Sequence, residues 1–425
     1  MFQSDLSGGF PRESAVWTVS AFSNYQRLFL IPGARRFFPF AALARLGVAM
    51  QSLSILWAVQ GTSGSFALAG IATGAFAAAE AFGSPQVARV VDSRGQSAVA
   101  RVQLPVFGLA TVTLLLGTAL GSPAWTWILA SGVAGISCPR IGSLAAARWR
   151  HLTEGTGHMP AALALEAAVN QLTHMIGPVL VTTLGATIHP SSGLLIALVL
   201  VLVFTATLMV QRDSEPPTQP RGPGLVLDTR LLKASFAPFP VLHLLLGVYF
   251  GGMTICLTAA ALSLGVGQYA GVMASAGGVA SLLAGLTYGA LAGRVNPSPV
   301  MLAGAGGLTA ACFALGQTHG PVTLAAFTAI ASACISPIIV PAAVNLQRRT
   351  PQALYVQAIT WTDSASALGT AAAAPLIGQV VDHGSAQAGY LWIAGAVFLM
   401  LLTACWIAAG RNTGHPTRSE DATEP

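Results

Sequence analysis

Five charged side chains interrupt otherwise apolar stretches of this chain: Arg45, Glu80, Arg140, Glu166 and Asp363. A charge near the centre of a bilayer costs from about 3 to more than 10 kcal/mol, so each needs a partner, water or a bound proton. Carboxylates that exchange a proton as their partners change can couple a proton gradient to another movement, and Glu166, Asp363 and Glu80 are the candidates for that chemistry. Arg140 and Arg45 are the candidate charge partners. Counting about 1.5 Å per helical residue puts all five in one layer. Hairpin neighbours pair Arg140 with Glu166 and Arg45 with Glu80, whereas Asp363 has no arginine in its own half. Imidazole side chains titrate near neutrality, which makes His174 a candidate relay. With Asn170, Gln171 and Trp361 it forms the set of candidate solute-binding side chains.

The stretches that carry these residues are long and apolar. Of 425 residues 54% are hydrophobic and 8% charged, against roughly a quarter charged in soluble domains. About twelve segments of roughly 20 residues can each cross the hydrocarbon layer of a membrane. The loops between them alternate. GTSGS (61–65), GSPA (121–124), HPSS (189–192), GVGQ (265–268), QTHG (317–320) and DHGSAQ (382–387) hold none of the 20 Lys and Arg residues. The other loops hold Arg35 and Arg36, then Arg89, Arg94 and Arg101, Arg148 and Arg150, Arg212 to Lys233, Arg294, Arg348 and Arg349, and Arg411 and Arg418. Basic loops stay in the cytoplasm, which predicts a multi-pass plasma-membrane protein with both termini inside.

The net charge of +6 sits in those loops and serves orientation. No basic cluster interleaved with aromatic residues points to nucleic acid. Five cysteines fall within apolar segments without metal-ligand spacing, so neither a disulfide nor a metal site is expected. The chain has no HExxH, GxSxG or Gly-rich Lys-Ser/Thr loop, which predicts no enzymatic activity, no direct use of ATP and no cofactor. No short apolar segment with a cleavage site marks a signal peptide.

A Pro-rich, charged stretch divides the chain. The organisation reads as a cytoplasmic segment 1–36, a six-span bundle 37–211, a linker 212–238, a second six-span bundle 239–410 and a cytoplasmic tail 411–425. Shifted by about 201 residues, Pro39 meets Pro240 and Ala69-Gly70 meets Ala270-Gly271; CPRIG (138–142) lies over SPIIV (336–340) at a slightly smaller shift. Parallel halves that bind a solute between them are the plan of rocker-type transporters.

After the second span, VARVVDSRGQ (87–96) resembles the loop signature of the major facilitator superfamily, with Ala88 at the leading glycine, Asp92 as the acid, Gly95 as the second glycine and Arg94 as the nearest basic residue. MIGPVL (175–180) resembles the Gly-Pro motif of the antiporter branch through Gly177 and Pro178. GSFALAG (64–70), EAAVNQL (166–172) and the region of Trp361 resemble actinobacterial multidrug members. Ser131 stands where that branch places an arginine in mid-span four. The resemblance implies an all-α membrane fold of twelve helices in two pseudo-symmetric six-helix bundles. It also implies monomeric, proton-coupled export of small amphipathic molecules, a cytoplasmic latch from Asp92 to the start of span eleven, and gating at Gly177-Pro178. The alternatives are a nutrient importer or facilitator on the same fold, and a membrane sensor or assembly partner that moves no solute.

Overall fold

The computed structural model describes residues 27–156, 158–218, 236–291, 294–350 and 355–409. Fourteen α-helices follow one another in these segments: α1 (Ala34–Ser63), α2 (Phe66–Arg94), α3 (Gln96–Leu120), α4 (Ala124–Ser137), α5 (Ile141–Leu152), α6 (Met159–Thr187), α7 (Ser192–Val210), α8 (Pro238–Ser263), α9 (Ala270–Leu291), α10 (Pro297–Leu315), α11 (Pro321–Ala333), α12 (Ser336–Arg349), α13 (Tyr355–His383) and α14 (Ala386–Ala409). Eleven stretches are long and apolar enough to cross a membrane, with α4–α5 and α11–α12 each counted as one. The 29-residue α6, packed against α1 and α9, completes twelve spans.

The sequence sets the helix ends. α1 stops at Gly64, whose φ of 70° suits a residue without a side chain. Ser65 then caps α2 by accepting the N–H of Leu68 at 3.1 Å. Proline occupies the first turn of α6, α8, α10, α11 and α12, where its missing N–H has no helical partner to lose. The fourth span breaks across Cys138-Pro139-Arg140 and the tenth across Cys334-Ile335, just before Ser336-Pro337. These paired breaks follow from proline's missing donor and ring clash. Pro178, Pro341 and Pro375 lie inside continuous helices.

Helices α1–α7 form one bundle and α8–α14 the other, and their packing repeats. α1 packs on α6 and α7 as α8 packs on α13 and α14, and α2 packs on α4 as α9 packs on α11. The ends of the broken spans repeat as well. Arg148 donates to the Gln211 carbonyl just past α7 at 2.8 Å, and Arg349 donates to the Ile407 carbonyl in α14 at 2.5 Å. Cations are favoured at helix C-termini by the exposed carbonyls there. Arg148 therefore does not lie in a solvated loop, as its charge predicted. It is fully buried in α5 and also holds the Gln96 side chain at 2.8 Å and the Ser214 hydroxyl at 2.6 Å. Beside it, Glu215 accepts the Ser97 N–H at 2.8 Å and the Ser97 hydroxyl at 2.5 Å, so the chain leaving the first bundle closes the N-terminus of α3.

One end of the molecule, the arginine-rich end, carries the turns with Arg94, Arg150, Arg212, Arg294 and Arg349. The turns at the opposite, arginine-free end have no Lys or Arg.

Candidate functional site

The halves meet through two antiparallel helix pairs, α2 with α13 and α6 with α9. Near the arginine-free end they approach to backbone contact. A Cβ on Gly70 would lie 2.9 Å from the Pro375 nitrogen, and one on Gly378 would lie 2.8 Å from the Ala67 Cα. On the other pair, the Gly271 N–H donates to the Thr182 hydroxyl at 3.1 Å, and Ser275 donates to the Met175 carbonyl. Thr182 also reaches the Gln268 carbonyl at 3.3 Å. At the outer edge the Asp382 carboxylate accepts the Ser65 hydroxyl at 2.7 Å and the N–H groups of Phe66 and Ala67 at 2.8 Å each.

Between the halves, with Thr182 and Gly271 of these contacts in its lining, lies a cavity of about 390 Å³. None of its lining residues is charged. Ala49, Ser52 and Leu53 come from α1, Gln171, Pro178 and Thr182 from α6, and the stretch from Tyr249 to Thr258 from α8, while α9 and the α11–α12 break close the far side. Its threonine hydroxyls are partly committed. Thr254 donates to the Phe250 carbonyl at 2.9 Å, Thr258 to the Thr254 carbonyl at 2.8 Å and Thr182 to the Pro178 carbonyl at 3.0 Å. With their protons engaged one turn back, these groups offer acceptors and methyl surface to anything in the cavity.

The charges of the spans lie elsewhere, and their pairing is the reverse of that predicted. Arg45 pairs with Glu166, and Arg140 with Glu80 at 2.7 Å. The reason lies in the broken span. Once α4 ends at Ser137, the chain turns at Pro139 and delivers Arg140 toward α2, while α1 packs directly on α6 and brings Arg45 to Glu166. Glu166 is enclosed: one carboxylate oxygen takes Arg45 and the other accepts the Trp149 indole N–H at 2.9 Å, with both members of the ion pair under a tenth exposed. Arg45 donates to the Glu166 carbonyl as well, at 3.2 Å. Phe37 and Phe38 pack around Trp149 at ring distances of 4.9 and 5.7 Å.

The second pair is open. The Arg140 side chain is half exposed. Asp363, on α13 of the other half, lies within electrostatic range of both Arg140 and His243. Sequence reasoning assigned Asp363 no arginine because it considered only its own half. Besides His243 of its own bundle, the arginine within its electrostatic range comes from the opposite bundle.

Of the predicted solute-binding residues, Gln171 lines the cavity. Asn170 and His174 do not. They are exposed on α6, where the His174 Nδ1 lies 2.9 Å from the Asn170 carbonyl. Trp361 is 41% exposed and also outside the lining. Pro178 of the Gly-Pro motif lies in the lining and against α9, and a Cβ on Gly177 would meet Met50 of α1 at 3.4 Å. Sequence reasoning missed Tyr249, Thr254 and Thr258, although two threonines four apart in an apolar span were a legible signal.

Asp92 and Arg94 are exposed at the arginine-rich end of α2. Asp92, Ala88 and Gly95 line a second hollow of about 640 Å³ together with Arg140 and Arg150. The chain entering α13, residues 351–354, lies outside the described residues, and with it the expected partner of Asp92.

No protein-family model matches the chain, and no curated protein does. Solved structures do match. A point mutant of the nucleoside transporter NupG is similar with a TM-score of 0.69 at 15% identity, over 87% of this chain and 98% of that one. A bacterial homologue of the iron transporter ferroportin in an inward-facing state is similar at 0.69 with 12% identity, over 88% and 98%. The human organic anion transporter MFSD10 (TETRAN) gives 0.57 at 14%, over 88% and 99%. The chain has the major facilitator fold. Fold carries no solute with it, so what the protein moves must be argued from the cavity and the charges.

Proposed function

We propose that this major facilitator chain is a secondary transporter that exports small amphipathic solutes in exchange for protons, by rocking its two bundles about the central cavity. The observation that carries this reading is an uncharged, largely apolar cavity between the halves, bordered by close backbone contacts of α6 with α9 at the arginine-free end. With basic turns facing the cytoplasm, this is a state closed to the outside, and the ferroportin homologue it resembles is described as inward-facing. The lining favours an uncharged or weakly charged solute with an apolar body and a few hydrogen-bond donors.

Coupling falls to the open charge cluster, not to Glu166. Glu80 holds Arg140 within the first half and Asp363, on the other half, lies within electrostatic range of the same arginine, so protonation of Glu80 frees the arginine for Asp363. Proton binding thereby changes which half holds the cation. Glu166 ties α1, α5 and α6 together within one half.

A second reading has its own observation. Gln171, Tyr249, Ser281, Thr328 and Ser332 add polar groups to the lining, which suits import of a neutral polar nutrient on the same fold. Accumulation of fluorescent amphiphilic dyes in expressing cells, with and without a protonophore, decides between the two. Lower accumulation in energised cells only, lost in Asp363→Asn, supports export. Protonophore-sensitive uptake of a neutral polar solute without any effect on dyes supports import.

A further inference from the structure

We infer that Asp382 is the outer latch of the transport cycle: its carboxylate holds the arginine-free end shut by capping the N-terminus of α2 from the opposite bundle. The inference rests on the alternating-access reading above. Asp382 is the last acidic residue of α13, and its three partners, Ser65, Phe66 and Ala67, begin α2 more than 300 residues away in sequence. The first N–H groups of a helix lack helical partners and carry the positive end of the helix dipole. A carboxylate accepting two of them and a hydroxyl is therefore bound by charge as well as by hydrogen bonds.

The position makes this a latch. The bonds run between bundles, so they must break whenever the outer end opens. Just inside them the backbones of α2 and α13 touch at Gly378 and Gly70, an apolar contact with no charge of its own. The other crossing pair, α6 with α9, is joined at the same end by neutral bonds, from the Gly271 N–H to the Thr182 hydroxyl and from Ser275 to the Met175 carbonyl. Among these crossing bonds of the described residues, the Asp382 carboxylate is the one formal charge.

α2 and α13 run antiparallel, and each carries an aspartate in its last turn: Asp382 at the arginine-free end, bound to the start of α2, and Asp92 at the arginine-rich end. The resemblance gives Asp92 a closing role at its own end. Asp382 supplies the counterpart, so the two ends compete through the same pair of helices.

The test places a reporter cysteine in the cavity by Thr254→Cys and measures its labelling by a membrane-impermeant maleimide from each face, in right-side-out and inverted vesicles. The protein without the reporter gives the baseline from the native cysteines. Asp382→Asn is expected to raise labelling from the arginine-free face about five- to tenfold, the change that loss of one charged cap produces in a two-state equilibrium. Ser65→Ala should raise it less, and Asp382→Glu should stay near the parent. Gly378→Ala, which pries the same helices apart, is the positive control. If Gly378→Ala raises labelling while Asp382→Asn leaves it at the parental rate, the latch is refuted and the rocking motion stands. If the reporter reacts from one face alone in every variant, alternating access itself fails, and the latch with it.

Discussion

The reversed charge pairing makes Glu166 a test of how burial separates structural ions from working ones. Glu166→Gln keeps the shape of the side chain and its hydrogen bond to Trp149, but leaves the Arg45 guanidinium facing a neutral amide at a site where it is 7% exposed. Removing one member of such a buried pair costs about 3–5 kcal/mol, because the remaining charge stays desolvated. Replacing both members with apolar residues of similar size is close to neutral or stabilising. At roughly 2 °C per kcal/mol for a cooperative unit near 200 residues, Glu166→Gln and Arg45→Met should each lower the apparent Tm by about 6–10 °C. The double variant Arg45→Met/Glu166→Leu should return to within about 3 °C of the parent. The assay is thermal stability of the detergent-solubilised protein followed by size-exclusion chromatography, with transport per folded molecule measured on each variant. Proton-coupled transport by the double variant at more than half the parental rate is the expected result. A double variant that is stable yet moves solute without protons would return the coupling role to Glu166 and refute the reasoning.

Three further outcomes follow from the geometry. Glu80→Gln and Asp363→Asn should each abolish gradient-driven transport while leaving solute exchange in counterflow within about twofold, measured in proteoliposomes; full gradient-driven transport by both would place coupling elsewhere. Gly378→Val should disfavour the outer-closed state by about 1–3 kcal/mol, the cost of overpacking against backbone that cannot move aside, and slow transport at unchanged membrane abundance; unaltered transport would mean that the contact near Phe66 and Ala67 is looser than described. Asp92→Asn should lower transport several-fold with normal abundance, read by uptake and immunoblot, and wild-type rates in that variant would remove the inner latch.

Much of the architecture was legible because it follows from one-dimensional constraints. Span length, alternating arginine and the repeat of Pro39 with Pro240 depend on the local sequence alone, and the helices reproduce them. Even the paired breaks at Pro139 and before Pro337 were written in residues that cannot continue a helix. Side-chain partners were not legible, because they depend on which helix faces which. The pairings Arg140–Glu166 and Arg45–Glu80 assumed that neighbours in a hairpin are neighbours in space. Within the bundle α1 packs on α6 and α2 on α4, and that single fact exchanges the partners. Arg148 escaped for a related reason: a basic residue near a turn reads as solvated, although the carbonyls ending α7 and the Gln96 side chain give it a buried polar site.

The two functions argued for charges converge on the same pair of helices. α13 carries Asp363 in the coupling cluster and Asp382 in the outer latch, 19 residues or about 28 Å apart along a helix. α2 carries Glu80 and, at its start, the N–H groups that Asp382 holds. Between these two charged ends the helices touch at Gly70 and lie close at Gly74, where a Cβ would sit 2.6 Å from the Ala371 carbonyl. Small residues let the two backbones meet at one point, about which the helices can tilt. A change in which carboxylate holds Arg140 would therefore act on the inner ends of α2 and α13, with the glycine contact as fulcrum and the Asp382 cap as the load. Under that arrangement Gly74→Leu should uncouple the ends: labelling of a Thr254→Cys reporter should no longer respond to Asp363→Asn. A response equal to that of the parent would show that the signal passes through α6 and α9 instead.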